Sequence, residues 1–112
     1  MKSKVENMTS RNGNKVANQF VITSYDDNHS VSKKIFQSYE TTIAITNYVC
    51  GRPTDPHTLI LDRKMWDYSK TTMKYLNQFL SGIMGHPMPK KEIEKMIKDN
   101  LIHLADLNNG GK

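Results

Sequence analysis

The chain has 112 residues, of which 37% are hydrophobic, and its 16 lysine and arginine residues outnumber 11 acidic residues for a formal charge of +5. This length allows one domain with a modest core, and no run approaches the roughly 20 apolar residues that cross a membrane. The positive charge favours a partner rich in phosphate or carboxylate, with ordinary solubility charge as the alternative. The single cysteine, Cys50, excludes an intrachain disulfide and favours a reducing compartment, so we expect a cytoplasmic protein.

The first half of the chain predicts an antiparallel sheet of three or four strands. Residues 1–15 have few apolar positions and contain the turn signal Asn12-Gly13-Asn14, so we predict a flexible basic arm. Alternating or β-branched runs then predict strands at 16–25, 30–39, 41–50 and 58–61. The polar turn at 26–29 joins the first two strands as a hairpin. Two prolines and a glycine interrupt the pattern at 51–56.

The second half predicts two helices. Ser69 suits the N-cap of the first helix, and Gly82 or Gly85 suits its end. Its predicted buried stripe comprises Met73, Leu76, Phe79, Leu80 and Ile83. Pro89 suits the first residue of a second helix, whose predicted stripe comprises Ile93, Met96, Ile97, Leu101 and Leu104.

These elements predict an α+β fold: a small antiparallel sheet of three to four strands, one helix packed on it, and a C-terminal helix after a proline linker. The arm at 1–15 is expected to precede a core domain at 16–85. The C-terminal helix and tail are expected to occupy 86–112.

Enzymatic chemistry is poorly represented. The four histidines, His29, His57, His86 and His103, are scattered and do not have the spacing of zinc ligands. No serine lies in a G-x-S-x-G elbow, and the glycines form neither a phosphate loop nor a dinucleotide fingerprint. We therefore expect no enzymatic activity, no metal and no cofactor.

Binding chemistry is better represented, because tyrosines and Trp66 are interleaved with lysine and arginine. Such rings stack on bases at about 1–3 kcal/mol per base while basic side chains follow the phosphates. Lys70 and Lys74 are one helical turn apart and are predicted to face solvent together. The predicted phosphate contacts are Arg11, Lys15, Arg52, Arg63, Lys64, Lys70 and Lys74, and the predicted stacking rings are Tyr68 and Tyr75. Trp66 is expected in the core, with a binding role as the alternative.

Two motifs resemble a group of small uncharacterised proteins common in tailed-phage genomes. One is S-Y-x-T-x-I-A, which Ser38 to Ala44 match, and the other is W-x-Y-S-x-T-T-x-K-Y, which Trp66 to Tyr75 match. The resemblance covers roughly residues 8–81. It implies an accessory protein that works in the host bacterial cytoplasm, and it implies no particular mechanism.

Three functions stay open at this point. The first is non-enzymatic binding of nucleic acid or of a host nucleoprotein. The second is inhibition of a host defence protein by direct contact, in the manner of anti-CRISPR proteins. The third is a structural or assembly role in which the stripe Ile93, Ile97, Leu101 and Leu104 is an oligomer interface. The helix motif also has a purely structural interpretation, in which Ser69, Thr71 and Thr72 cap the helix and reach the sheet at Ser38 or Thr41.

Overall fold

The computed structural model describes residues 2–10, 12–49, 52–53 and 59–108, and these contain seven strands, six of which are successive neighbours across one mixed sheet. The strands are β1 (Lys2–Thr9), β2 (Lys15–Tyr25), β3 (Val31–Ser38), β4 (Thr41–Val49), β5 (Arg52–Pro53), β6 (Leu59–Asp62) and β7 (Ile102–Ala105). The order across the sheet is β1-β2-β3-β4-β6-β7, and the two-residue β5 pairs with β4 beside this path. All neighbours are antiparallel except β6 and β7, which are parallel.

The predicted sheet of three or four antiparallel strands is therefore wrong, because strands were missed at both edges and the two-residue β5 lies inside the segment 51–56 that was predicted as a break. The segment predicted as a flexible arm contains β1, which pairs with β2 from Lys2 opposite Tyr25 to Thr9 opposite Lys15. The composition of β1 gives no clear strand pattern, because Val5 is 61% exposed and Met8 is the single buried apolar residue of this strand. An edge strand of this kind is held by backbone hydrogen bonds and is typically protected by charged side chains.

The second missed strand is β7, which the sequence predicted as part of a long helix. Helix α2 (Lys90–Lys98) ends instead before Asn100, whose φ of 61° lies in the left-handed region that asparagine tolerates. Ile102 then pairs with Leu59 in parallel register, and both side chains are almost completely buried. The stripe from Ile93 to Leu104 is thus divided between a helix and a strand, which removes the helical oligomer interface that it suggested.

Helix α1 (Lys70–Met84) packs on one face of the sheet, as the sequence predicted. Ser69 caps its start and Gly85, at a φ of 80°, ends it. Phe79 of α1 stacks on Phe36 of β3 with ring centroids 5.8 Å apart. The Trp66 ring, 7% exposed, joins the same core just before the helix. Neither helix in the described part of the chain is long and apolar enough to cross a membrane.

The opposite face of the sheet has no helix of the described residues packed on it. Cross-strand partners share a face, so the register places Phe36, Ala44 and Leu61 in one row under α1. The adjacent row contains Ile35 opposite Ile45 and points the other way. Both of these isoleucines are partly exposed, whereas Phe36 and Ala44 are buried. The main core therefore lies between the sheet and the helices.

A buried carboxylate ties β6 to the segment after β7. Asp62 is 4% exposed; its Oδ2 accepts hydrogen bonds from the backbone N–H of Met65 at 2.9 Å and of Lys64 at 3.3 Å. Its Oδ1 accepts from the N–H of Leu107 at 2.8 Å. Beside it, the Arg63 N–H donates to the carbonyl of Ala105 at 2.8 Å. This network fixes the turn that leads from β6 into α1.

Candidate functional site

The two sequence motifs meet in space, where the hairpin turn between β3 and β4 faces the start of α1. Ser38 Oγ lies 3.3 Å from Thr72 Oγ1. Ser69 Oγ donates to Thr72 Oγ1 at 3.0 Å and accepts from the Thr72 N–H at 3.1 Å. Because Thr72 Oγ1 accepts a hydrogen bond from Ser69, the Thr72 hydroxyl proton can be donated to Ser38 Oγ. These three hydroxyls join the sheet to the helix cap, as the structural interpretation predicted for Ser69 and Thr72, whereas Thr71 is exposed and takes no part in these contacts.

A cleft of about 320 Å³ opens beside these hydroxyls. Its most exposed walls are two tyrosines, Tyr39 from the hairpin turn at 58% exposure and Tyr68 from the segment before α1 at 69%. Ile43 and Met65 supply apolar surface. We call this the tyrosine cleft, and its lining residues are Ser38, Tyr39, Thr41, Ile43, Met65, Tyr68, Ser69 and Thr72. It combines aromatic, apolar and hydroxyl surface.

Tyr39 occupies a backbone conformation that tyrosine rarely adopts. It is the first residue of the two-residue loop between β3 and β4, and its φ is 56°. Glycine, asparagine and aspartate are the usual residues with positive φ in such turns, because a bulky side chain there is strained. Its N–H donates to the Asn18 carbonyl at 2.6 Å, and its carbonyl accepts from the Gln37 side-chain amide at 2.8 Å. These contacts hold the strained turn in place.

A basic groove of about 330 Å³ adjoins the tyrosine cleft, and Ser69 lines both. Its cations are Lys70, Lys74 and Lys90. Lys90 Nζ lies 3.7 Å from an Asp67 carboxylate oxygen, whereas Lys70 and Lys74 have no ion-pair partner among the described residues. We call this groove the lysine groove, and its lining residues are Asp67, Ser69, Lys70, Met73, Lys74, Asn77 and Lys90. Lys70 and Lys74 therefore carry positive charge with no ion pair among the described residues, and Asp67 is the acidic residue that lines the same groove.

Lys15, a predicted phosphate contact outside α1, lies near the lysine groove. Lys74 also lines a second groove, of about 540 Å³, together with Thr9. Lys15, which is exposed, is the cross-strand partner of that Thr9. The turn between β1 and β2 is thereby adjacent to α1, and the Gln78 side-chain amide donates to the Thr9 carbonyl at 3.0 Å.

Other predicted site residues have different surroundings. The Arg63 guanidinium donates to the Leu104 carbonyl at 3.3 Å and pairs with Asp106 at 3.2 Å, so it helps to hold β7. Lys64 is exposed in the turn after β6. Arg52 is in β5, and Arg11 lies outside the described residues.

The predicted stacking role of Tyr75 is incompatible with its position. Its side chain is 7% exposed, and the Lys74 Nζ lies 5.3 Å from the centroid of its ring. A base has no open ring face to stack on, so Tyr75 is a core residue and we remove it from the site. The lysine above it gains a cation–π contact of the kind that aromatic rings offer to ammonium groups.

Two residues of the site were absent from the predicted set. Tyr39 was missed because it was predicted as the last residue of the strand at 30–39, whereas β3 ends at Ser38 and Tyr39 lies in the hairpin turn, where it is exposed. Lys90 was assigned to the second helix, and the sequence carries no signal that α2 brings it beside Asp67.

Among the described residues, no group of three or more histidine, cysteine, aspartate or glutamate side chains could hold a metal ion.

Replacing Ser69 with alanine should lower the free energy of unfolding by about 1 kcal/mol, because the Thr72 N–H loses its capping acceptor. Urea denaturation followed by circular dichroism measures this loss. Thr71→Ala is the matched control, since Thr71 is an exposed neighbour in the same helical turn, and it should change stability by less than about 0.5 kcal/mol. Equal effects of the two substitutions would contradict the capping role.

One comparison with known proteins gave a match. Residues 3–97 match the model described as "Family of unknown function (DUF8033)". No curated protein and no solved structure matches the chain.

Proposed function

The chain belongs to a family of unknown function, DUF8033, and we propose that it binds nucleic acid, free or within a nucleoprotein, without catalysing a reaction. The proposal includes a role as a phage-type accessory protein in the cytoplasm of the host bacterium. The observation that carries it is the exposed Tyr68 beside Lys70 and Lys74, two cations that have no carboxylate partner among the described residues.

The position of Lys70 supports a binding role, because a cation there opposes the stability of the helix. The N-terminal end of a helix favours negative charge, and a cation there costs a few tenths of a kcal/mol or more. Lys70 is the first residue of α1, and the first turn contains no acidic residue. Phosphate groups would turn this unfavourable charge into a favourable one, because lysines bind them directly and release counterions from the nucleic acid.

Fluorescence anisotropy of labelled single- and double-stranded DNA and RNA across a salt series tests the proposal. We expect micromolar or tighter dissociation constants at low salt that weaken steeply as salt is added. Three to four lysine–phosphate contacts, from Lys70, Lys74, Lys90 and Lys15, predict a slope of log K against log salt of about −2 to −3 for a single strand.

Absence of binding to any of these probes at low salt would overturn the proposal. The host-defence inhibitor would then be the leading alternative, because exposed tyrosines also anchor protein interfaces. That alternative predicts a stoichiometric complex with a purified host effector and no binding to free DNA or RNA.

A further inference from the structure

We propose that the tyrosine cleft holds one unpaired base between Tyr39 and Tyr68, so that the ligand is single-stranded nucleic acid. This inference rests on the proposed function and goes beyond it by assigning the class of nucleic acid and the residues that select it. It makes Tyr39, which the sequence analysis did not assign to the site, a binding residue.

The shape and surface of the cleft favour an unpaired base over a duplex. A duplex keeps its base faces stacked inside the helix, whereas a single strand can turn a base outward onto an aromatic ring. Tyr39 and Tyr68 are 58% and 69% exposed and line the same cleft. Ile43, Met65 and Thr41 line the cleft together with these two tyrosines. A planar, apolar group with polar edges matches this combination of surfaces.

The backbone of Tyr39 gives a second, independent observation. A turn that served only to connect β3 and β4 would be more stable with glycine at this φ of 56°. Tyrosine in this conformation costs of order 1–3 kcal/mol, and residues with such strain cluster at binding sites. Two hydrogen bonds hold the turn that presents the ring. The Tyr39 N–H donates to the Asn18 carbonyl, and the Gln37 side-chain amide donates to the Tyr39 carbonyl.

The neighbouring charges place the sugar–phosphate backbone. Ser69 lines both the tyrosine cleft and the lysine groove, so the two sites share an edge. A nucleotide whose base enters the cleft therefore has its phosphates beside Lys70 and Lys74. The cleft and the groove together bind the base and the backbone of one strand.

The test compares a labelled homothymidine oligonucleotide with an abasic strand of equal length and with the corresponding duplex. The abasic strand has the same phosphates and no bases. We expect the full chain to bind the homothymidine strand at least about tenfold more tightly than either comparison probe, since stacking on aromatic side chains supplies about that factor or more per base.

Tyr39→Ala and Tyr68→Ala should each weaken homothymidine binding by about tenfold and leave abasic binding unchanged. Tyr39→Phe keeps the ring and should retain most of the affinity. Tyr25→Ala is the control, because Tyr25 lies at the far end of β2 and lines neither the cleft nor the lysine groove. Tyr39→Gly removes the ring and relieves the positive φ, so it should lose affinity while its melting temperature stays equal or rises.

The outcomes separate this inference from the proposed function. Equal binding of the base-bearing and abasic strands, or tyrosine variants that bind like the unmodified chain, would overturn the base-binding cleft while nucleic-acid binding itself stood. Failure to bind any probe would overturn both. A lower melting temperature for Tyr39→Gly would remove the argument from strain.

Discussion

Asp62→Ala is expected to lower the free energy of unfolding by about 3–5 kcal/mol, a large fraction of the stability of a domain of this size. The carboxylate is buried and accepts from three backbone N–H groups, those of Lys64, Met65 and Leu107. Hydrogen bonds to a charged acceptor contribute about 1.5–3 kcal/mol each, and the donors of partly buried residues, those of Met65 and Leu107, add a desolvation cost when they are left unpaired. Because Leu107 follows β7, the loss also loosens the edge of the sheet.

Urea denaturation of Asp62→Ala and Asp62→Asn measures this effect. Asparagine keeps one carbonyl acceptor and should destabilise less than alanine. Asp106→Ala is the control, because Asp106 pairs with Arg63 at the surface and such exposed pairs contribute only about 0–1 kcal/mol. A loss for Asp62→Ala no larger than that of the control would show that the network does not hold β7.

The double charge reversal Lys70→Glu/Lys74→Glu is expected to weaken nucleic-acid binding by about 100-fold at low salt, because two phosphate contacts become repulsions. The same change should leave the fold intact and alter its stability little, since the acidic residue at position 70 gains from the N-terminal end of α1 while the cation–π contact of Lys74 with Tyr75 is lost. Anisotropy with a labelled single strand measures the affinity, and thermal unfolding measures the stability.

Lys91→Glu/Lys95→Glu is the matched control, with the same charge change and the same spacing on α2, where both side chains are exposed. It should weaken binding far less than the reversal on α1. Equal losses for the two variants would mean that net charge alone drives the association. An unchanged affinity for the α1 variant would remove the lysine groove from the proposed site.

Local patterns in the sequence were enough to predict the interior of the sheet and the first helix. Strands β2, β3, β4 and β6 have alternating or β-branched residues, and Ser69 and Gly85 are strong cap signals that depend on few neighbours. The edge strands could not be predicted in this way. β1 is mostly polar and therefore lacks the alternating pattern of a strand. β7 has only four residues, and its apolar positions continue the helical spacing of the preceding segment. The conformation of both segments therefore depends on the neighbouring strand with which they pair.

Of the residues in the proposed site, Lys70 and Lys74 were predicted from helical periodicity and Tyr68 from its place among basic residues, whereas Tyr39 and Lys90 were missed. The exposure of Lys70 and Lys74 follows from their spacing, and so does the burial of Leu76 and Phe79 on the other side. Tyr75 was misplaced because α1 packs on the sheet through a broader stripe that includes Thr72 and Tyr75. The tyrosine cleft required two loops that lie far apart in the sequence, and periodicity carries no information about their distance.

The parallel pairing of β6 with β7 has a consequence for the nascent chain. A parallel neighbour needs a crossover, and here the crossover comprises both helices, α1 and α2. At ribosomal speeds of about 5–20 residues per second, β6 waits on the order of seconds for its partner. During that interval the antiparallel strands can pair, but Leu59 and Asp62 lack their partners from 102–107, and the edge of β6 is open to other chains. We therefore expect the greatest exposure to aggregation in the interval between the emergence of β6 and that of β7.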